Sequence, residues 1–475
     1  MNDLHLSSAK ELEKRFFASL DSIIQGRGLA CEQTKIAVAY SGGLDSSVLL
    51  ALSLLFAKQR QISLFAYHVN HGISPNASQW ADHCTKICDK DAVVIRTEQV
   101  QVQKRRQGIE AVARSERYRA LGRMCGIDGV DLLLTGHHLD DQAETMLMQL
   151  FRGTGLGGLS GMDASNFAPG LLCASNIVLG RPLLGESRAE LQNYAEQMQL
   201  SNVEDESNAD ICFKRNAIRQ LVMPSIEHCY PGFAYRLSRT AGHVQSAQRL
   251  LDELAKDDLI KCNDQDALDL GILRGLSQDR INNVFRYWLL KNQVQLPSTS
   301  KMEQLLSQLF NARDDARIAI RHGDHAVCRY DQKIHLQDLR IRSECKQTIE
   351  FRWNGEDSKY FPELKGRLIF QNATIGIDAE LLKQSNMSVR QRQAGARLRL
   401  AKNRPSRDLK SHFQSHKVPF WLREQLPYIY IGEQLFFVGL LGIDASFLSE
   451  SSSATAVEIP KVKLIWQPDQ HADLN

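Results

Sequence analysis

Residues 40–47 read Tyr40-Ser41-Gly42-Gly43-Leu44-Asp45-Ser46-Ser47, and the flanking residues decide what this stretch does. On its N-terminal side, Lys35-Ile36-Ala37-Val38-Ala39-Tyr40 is short, apolar and β-branched, the pattern of a buried strand. On its C-terminal side, Ser46 to Lys58 is nearly continuous in Val, Leu and Ala, which predicts a buried helix. The loop therefore links the carboxyl end of a strand to the amino end of a helix. Gly42 and Gly43 let the backbone turn sharply and come close to a ligand. Ser41, Ser46 and Ser47 add hydroxyl donors, and a helix start offers unpaired N–H groups with partial positive charge. Together these features make a site for the oxyanions of phosphate or pyrophosphate.

Asp45 is the odd member, because a carboxylate repels phosphate unless a cation lies between them. Mg²⁺ typically takes one or two carboxylates plus phosphate oxygens, so Asp45 points to a metal–nucleotide complex. Helix capping by Asp45 or Ser46 is the plainer reading, but capping does not call for Ser-Gly-Gly just upstream. The loop has neither the Gly-x4-Gly-Lys-Ser/Thr run of a Walker A motif nor the Gly-x-Gly-x-x-Gly of dinucleotide folds. Ser-Gly-Gly-x-Asp-Ser after a first strand resembles the PP-loop of ATP pyrophosphatases. That resemblance implies ATP with Mg²⁺, cleavage between the α and β phosphates, and adenylation of a carbonyl-type oxygen. It places Ser41, Gly42, Gly43, Leu44, Asp45 and Ser46 at the nucleotide, with Asp45 on the metal.

At 475 residues the chain has room for two to four domains, and 43% apolar with 24% charged residues is ordinary for a globular protein. The first residues carry Asp3, Glu11 and Glu13 instead of a basic, then apolar, leader. The late apolar run Leu435 to Ile443 is too short to span a bilayer. A soluble, cytoplasmic protein without a membrane partner is expected. Ten cysteines lie without framework spacing, and Cys84 and Cys88 would share one helix face, so reduced, buried thiols are expected over a zinc or iron–sulfur site. The net charge of +3 means that any nucleic acid must be held by local patches.

Residues 1 to 30 read as an amphipathic helix with Leu12, Phe16, Leu20 and Ile23 in one stripe. From Lys35, strands at 35–40, 62–69, 92–96 and 131–135 alternate with helices at 46–58, 77–89, 109–125 and 140–151. This alternation predicts an α/β fold, a Rossmann-like parallel sheet with helices on both faces and ligands beyond the strands' carboxyl ends. The PP-loop, His68 to Gly72 and Gly136 to Glu144 should meet at that edge. His68 and His71 are nucleotide contacts or satisfied loop histidines in equal measure.

In Gly136-His137-His138-Leu139-Asp140-Asp141-Gln142-Ala143-Glu144-Thr145, the positions His137, Asp141 and Glu144 are spaced to share a helix face. Acids at a helix start can simply answer the macrodipole. A histidine with carboxylates can bind a transition metal. The third reading, carboxylates holding Mg²⁺ or a cationic substrate beside ATP, accounts best for three acids in one turn. Seven basic and two acidic residues lie between Lys104 and Arg123, with Arg114, Arg117 and Tyr118 among them. That is a salt-bridged solvent face or a phosphate contact. Arg152 to Met162 holds too many glycines for a helix and reads as a docking loop or lid.

From 226 to about 320, apolar residues recur at helical spacing, with a break at Leu296-Pro297-Ser298-Thr299, and strand patterning returns from Ala316 to Leu336. A final, strand-rich segment begins near Thr348. Ten basic residues and one acidic lie between Arg390 and Arg423, with Phe413, Phe420 and Trp421 interleaved. Phosphate contact explains the charge, and base stacking or domain core the rings. The expected domains are 1–225, catalytic; 226–345, mainly helical; and 346–475, a smaller β-rich domain.

Taken in order, Ser41–Ser46, His68–Gly72, Gly136–Thr145, Arg152–Met162, Arg181–Leu184 and Arg215-Asn216-x-Ile218-Arg219, with Arg397–Pro427 later, resemble the tRNA(Ile)-lysidine synthetase family. The resemblance implies a ligase that joins L-lysine to C2 of the wobble cytidine of a CAU-anticodon tRNA(Ile) through an adenylated cytidine, giving lysidine. It implies catalytic roles for Asp45, Asp141 and Glu144, the latter two holding the lysine ammonium or taking its proton. It adds His68 and His137 to the ATP contacts, and Arg114, Arg117, Arg215, Arg219, Arg397, Arg399 and Arg407 to the tRNA contacts. It also implies that the domains 226–345 and 346–475 bind tRNA. A tRNA thiolase would need a cysteine pair near the loop ends, and a non-catalytic RNA-binding protein would have no use for an intact Asp45. A homodimer is allowed but not indicated.

Overall fold

Side-chain alternation along β1, Ile36–Ala39, sends Ile36 and Val38 to one face of a sheet and Ala37 to the other. The computed structural model describes residues 2–30, 33–72, 76–100, 109–204, 206, 210–264, 267–313, 316–341, 347–448 and 460–469. The basic run Gln103–Gly108 and most of Asp205–Asn208 lie outside the described residues. Two compact units divide the chain, Met1–Leu251 and Asp252–Asn475.

In the first unit, β1 is flanked by α1, Asn2–Gly26, and α2, Leu44–Arg60; then come β2, Leu64–Asn70, α3, Ala77–Lys90, β3, Val94–Gln99, and α4, Ile109–Asp128. β4, Leu132–Leu134, α5, Leu139–Phe151, and the short α6, Leu156–Leu159, follow. β5, Ser165–Phe167, α7, Pro169–Leu172, β6, Val178–Gly180, and α8, Arg188–Gln197, complete the sheet region. The strand order is β3-β2-β1-β4-β6-β5. All neighbours pair in parallel except the edge pair β5–β6. The sheet is thus mostly parallel, with an antiparallel edge that the sequence patterning does not reveal.

Helices cover both faces. Phe16 and Leu20 of α1, Val48, Leu52 and Phe56 of α2, Cys84 and Cys88 of α3 and Leu191 of α8 form one buried core with Ile36, Val38, Leu132 and Leu134. Tyr118, Leu121 and Cys125 of α4 form the other with Ala37, Tyr67, Leu133 and Leu179. Each fully buried Leu or Phe contributes roughly 1.5–3 kcal/mol. These two cores hold the carboxyl ends of β1, β2 and β4 side by side.

The second unit includes helices Gln278–Lys291 and Thr299–Asn311, the latter capped by Ser298 in the expected break. They pack on antiparallel strands Ile318–His322, His325–Tyr330 and Lys333–Asp338 through Phe285, Trp288, Leu305, Val327 and Ile334. Antiparallel sheets then dominate, including Gly366–Asp378 paired with Lys461–Pro468 and Met387–Arg390 paired with Tyr428–Ile431. Phe413 is fully buried in their core, so it is not available to stack on a base. Among the described residues, no helix is long and apolar enough to cross a membrane.

Candidate active site

The loop after β1 is held in three ways. The Tyr40 N–H donates to Tyr67 O at 2.8 Å, and the Val203 N–H donates to Gly42 O at 2.9 Å. Ser46 Oγ donates to Gly43 O at 2.9 Å and lies 3.1 Å from Ser41 Oγ. Gly42 has φ +85°, and a Cβ there would meet Cys84 Sγ at 3.0 Å and Val203 Cγ2 at 3.1 Å, so both conformation and space require glycine. Helix α2 begins at Leu44, two residues earlier than its apolar pattern suggests, with extended Gly43 as N-cap. The first backbone bond back into the helix is Ser47 N to Gly43 O. The N–H groups of Leu44, Asp45 and Ser46 thus lie in the unpaired first turn, where an anion is favoured.

Gly136, following β4, passes so close that a Cβ would lie 3.2 Å from the Asp45 carbonyl carbon and oxygen. It brings His138 beneath the loop. His138 Nε2 lies 3.7 Å from Asp45 Oδ2 and 3.4 Å from Asp141 Oδ2, and its Nδ1 lies 3.5 Å from Asp140 Oδ2. These are ion-pair distances longer than good hydrogen bonds. Burial works against charge on this ring, but the three carboxylates outweigh it and raise the pKa to about 10. Asp45 Oδ1 is buried and, among the described residues, has no hydrogen-bond partner. An ionised oxygen left so is costly unless a cation completes it, which fits a metal ligand.

His137 does not share a helix face with Asp141 and Glu144, because α5 starts at Leu139 with His138 as its N-cap. The His138 N–H donates to Asp141 Oδ2 at 3.1 Å, so Asp141 also caps the helix. His137 instead lies 2.8 Å from Thr135 Oγ1, and burial with nearby arginines lowers its pKa to about 3. Asp140 Oδ2, beside His138, also accepts the Arg188 N–H at 2.9 Å.

The expected acids and the expected arginines meet each other. Arg215 donates from Nε to Glu144 at 2.6 Å and from Nη2 to Asp141 at 2.7 Å. Arg219 donates from Nε to Glu144 at 2.5 Å and from Nη2 to Asp141 at 3.1 Å. Glu144 is fully buried. For Asp141 burial raises the pKa, yet the charges of His138 and Arg215 prevail and bring it to about 2. On α4 the basic residues divide. Arg119 and Arg123 pair with Glu116 and Glu98 on a solvent face. Arg114 and Arg117 carry no ion pair among the described residues and lean on the Tyr118 ring, 5.0 and 5.5 Å from its centroid.

These parts line one cleft of about 760 Å³ at the carboxyl ends of β1, β2 and β4. Ser41, Gly43, Leu44, Asp45, Ser46, His68, His137, Asp141, Arg114, Arg117, Arg215 and Arg219 border it, with His71 and Trp80. Gly42 and Glu144 lie behind that surface, and among the described residues no cysteine lines it. The glycine loop after α5 is docked: Gln142 exchanges hydrogen bonds with Met162 at 2.7 and 3.0 Å, and Gln245 donates to Ser160 O at 2.8 Å. In the second unit, Arg397, Arg399 and Arg407 are exposed on a short hairpin in which Arg397 pairs with Asp408 and Leu398 with Arg407. His138 escaped notice in the sequence because a second histidine beside His137 carries no spacing signal.

A strand, an anion-binding loop and a carboxylate held at the following helix define a PP-loop ATP-binding domain. The PP-loop domain family matches residues 12–226, the TilS substrate binding domain 268–335 and the TilS substrate C-terminal domain 387–460. The tRNA(Ile)-lysidine synthase of Burkholderia pseudomallei is 35% identical over 472 residues, 92% of this chain and 94% of that one. That of Nitrosomonas europaea is 34% identical over 443 residues, 92% of each. That of Serratia proteamaculans is 36% identical over 432 residues, 90% of this chain and 95% of its own. The chain belongs to the tRNA(Ile)-lysidine synthase family, carbon–nitrogen ligases with a PP-loop ATP-binding domain.

Proposed function

We propose that the chain joins L-lysine to C2 of the wobble cytidine in a CAU-anticodon tRNA(Ile), converting ATP to AMP and pyrophosphate in the cytoplasm. The observation that carries this reading is the convergence of the anion loop, Asp45 and the Asp141–Glu144–Arg215–Arg219 group on one cleft. The loop N–H groups would take the β and γ phosphates, whose leaving charge grows as C2–O is adenylated. Asp45 would hold Mg²⁺, which supplies charge neutralisation on the triphosphate. His138, 3.7 Å from Asp45 Oδ2, would help to fix its position. The acid pKa of Asp141 makes it a poor base and a good partner for the lysine ammonium, with Glu144 behind it. Arg114, Arg117, Arg215 and Arg219 would meet the anticodon-loop phosphates, and a single-stranded base can be splayed into the cleft at modest cost. Arg397, Arg399 and Arg407 would hold tRNA elsewhere on the chain. We assign the catalytic role to residues 1–225, and tRNA binding to 226–345 and 346–475.

The deciding experiment incubates the full chain with ATP, labelled lysine and an unmodified CAU-anticodon tRNA(Ile). Label is expected in the tRNA, in step with AMP. AMP release without transfer of label would refute the ligase reading.

A further inference from the structure

His68 stands on β2, on the side of the PP-loop strand opposite β4. Its Nδ1 lies 3.0 Å from the carbonyl oxygen of Tyr40, the residue just before the loop. A carbonyl oxygen only accepts, so Nδ1 carries the proton. The ring is buried, and burial lowers its pKa, which keeps it neutral. Nε2 therefore presents a lone pair, and it has no partner among the described residues. The ring borders the cleft, as does Trp80 on α3, the helix that follows β2.

A lone pair here repels phosphate oxygens, so it does not serve the triphosphate. The cationic and anionic groups Asp141, Glu144, Arg215 and Arg219 sit with α5, on the β4 side. Beside His68, Asn70, His71 and Trp80 border this side of the cleft, and Arg114 and Arg117 of α4 border it too; among them His68 is the buried acceptor and Trp80 an aromatic wall. We propose that His68 reads the nucleobase: its Nε2 accepts a hydrogen bond from the 6-amino group of adenine and repels the 6-oxo group of guanine. This rests on ATP occupying the cleft as described above, and goes further by naming the group that selects it. Trp80 would supply a face for the purine ring.

The test compares wild type with His68→Asn, which keeps a donor for Tyr40 O but has nothing at the Nε2 position. The nucleotides are ATP, purine riboside triphosphate (which lacks the 6-amino group), GTP and 2′-deoxyATP, with lysine and tRNA saturating. Wild type should lose about tenfold in kcat/KM from ATP to purine riboside triphosphate, and His68→Asn about tenfold with ATP, mostly in KM, as expected for one lost buried hydrogen bond. The variant should then hardly distinguish the two and should accept GTP more readily. His68→Gln, whose Oε1 reaches the same place, should restore part of the preference. A variant that separates ATP from purine riboside triphosphate as wild type does overturns the proposal. Lost discrimination against 2′-deoxyATP instead, or a change confined to the tRNA KM, overturns it as well. Failure of the parent reading looks different: Asp45→Ala would then leave turnover of every nucleotide intact.

Discussion

Arg215 Nε donates to Glu144 Oε2 at 2.6 Å, so a cation expected at RNA phosphates neutralises an acid expected at an amino acid. Arg219 makes the same pairing at 2.5 Å, and Asp141 joins both arginines. Glu144 has no water to fall back on, since it is fully buried. Arg219→Ala should therefore lower stability in urea by about 1–3 kcal/mol, because one guanidinium still serves Glu144. Arg215→Ala with Arg219→Ala should reach about 3–5 kcal/mol, the cost of an unpaired buried charge. Adding Glu144→Ala to the double variant should recover much of the loss; no recovery would mean that charge pairing is not what these residues supply.

Asp45→Ala should abolish tRNA-dependent AMP release while lowering the urea midpoint only modestly. Its Oδ1 has no hydrogen-bond partner to lose among the described residues, and its Oδ2 is one of three carboxylates around His138. Retained turnover would rule out a role on the metal.

Adjacent histidines pull stability in opposite directions with pH. His137, lowered to about 3 mainly by burial, is neutral when folded, so the unfolded chain gains a proton first as pH drops below about 6.5. Its contribution is present above that value and drains away as pH falls toward 3. His138, raised to about 10, is charged when folded. Its contribution is complete below about 6.5 and is lost as pH climbs through 10. Melting temperature against pH should show a crest between the two limbs. His137→Gln should flatten the acid limb and His138→Gln the alkaline one; limbs that do not respond separately would contradict these assignments.

Charge reversal at Arg397, Arg399 and Arg407 should raise the tRNA KM and leave those for ATP and lysine unchanged. All three side chains are exposed, so folding should survive. The effect should shrink as salt rises, since phosphate contacts are screened. Unaltered tRNA binding would remove the hairpin from the interface.

Gly136→Ala should cut ATP turnover steeply. The new methyl would press on the Asp45 backbone at 3.2 Å, and the loop would have to give by a few tenths of an ångström. Normal turnover in that variant would show that the spacing beneath the loop is not critical.

The strand–loop–helix at Ile36–Arg60 was legible because three local signals agree there: an apolar β-branched run, two glycines and a helical apolar run. The meeting of Ser41–Ser46, His68 and Asp141 at one edge followed from parallel topology alone. The start of α5 was not legible, because its N-terminal signal is distributed between His138 and Asp141, which cap one another. The edge strand Ser165–Phe167 is three residues long with two of them polar, too short for a period to register. The pairing of Arg215 and Arg219 with Asp141 and Glu144 spans more than seventy positions, and no single-sequence pattern reports such a distance. Likewise Phe413, set among arginines, reads equally as a base-stacking ring or as domain core, and the sheets that enclose it decide for core.

The bond from Val203 to Gly42 has a bearing on biosynthesis. The glycine turn comes first in the chain, and the strut that braces it is translated some 160 codons later. A ribosome-bound fragment ending before that strut owns the motif without its brace. The brace on the glycine turn thus forms only once both distant segments are on hand.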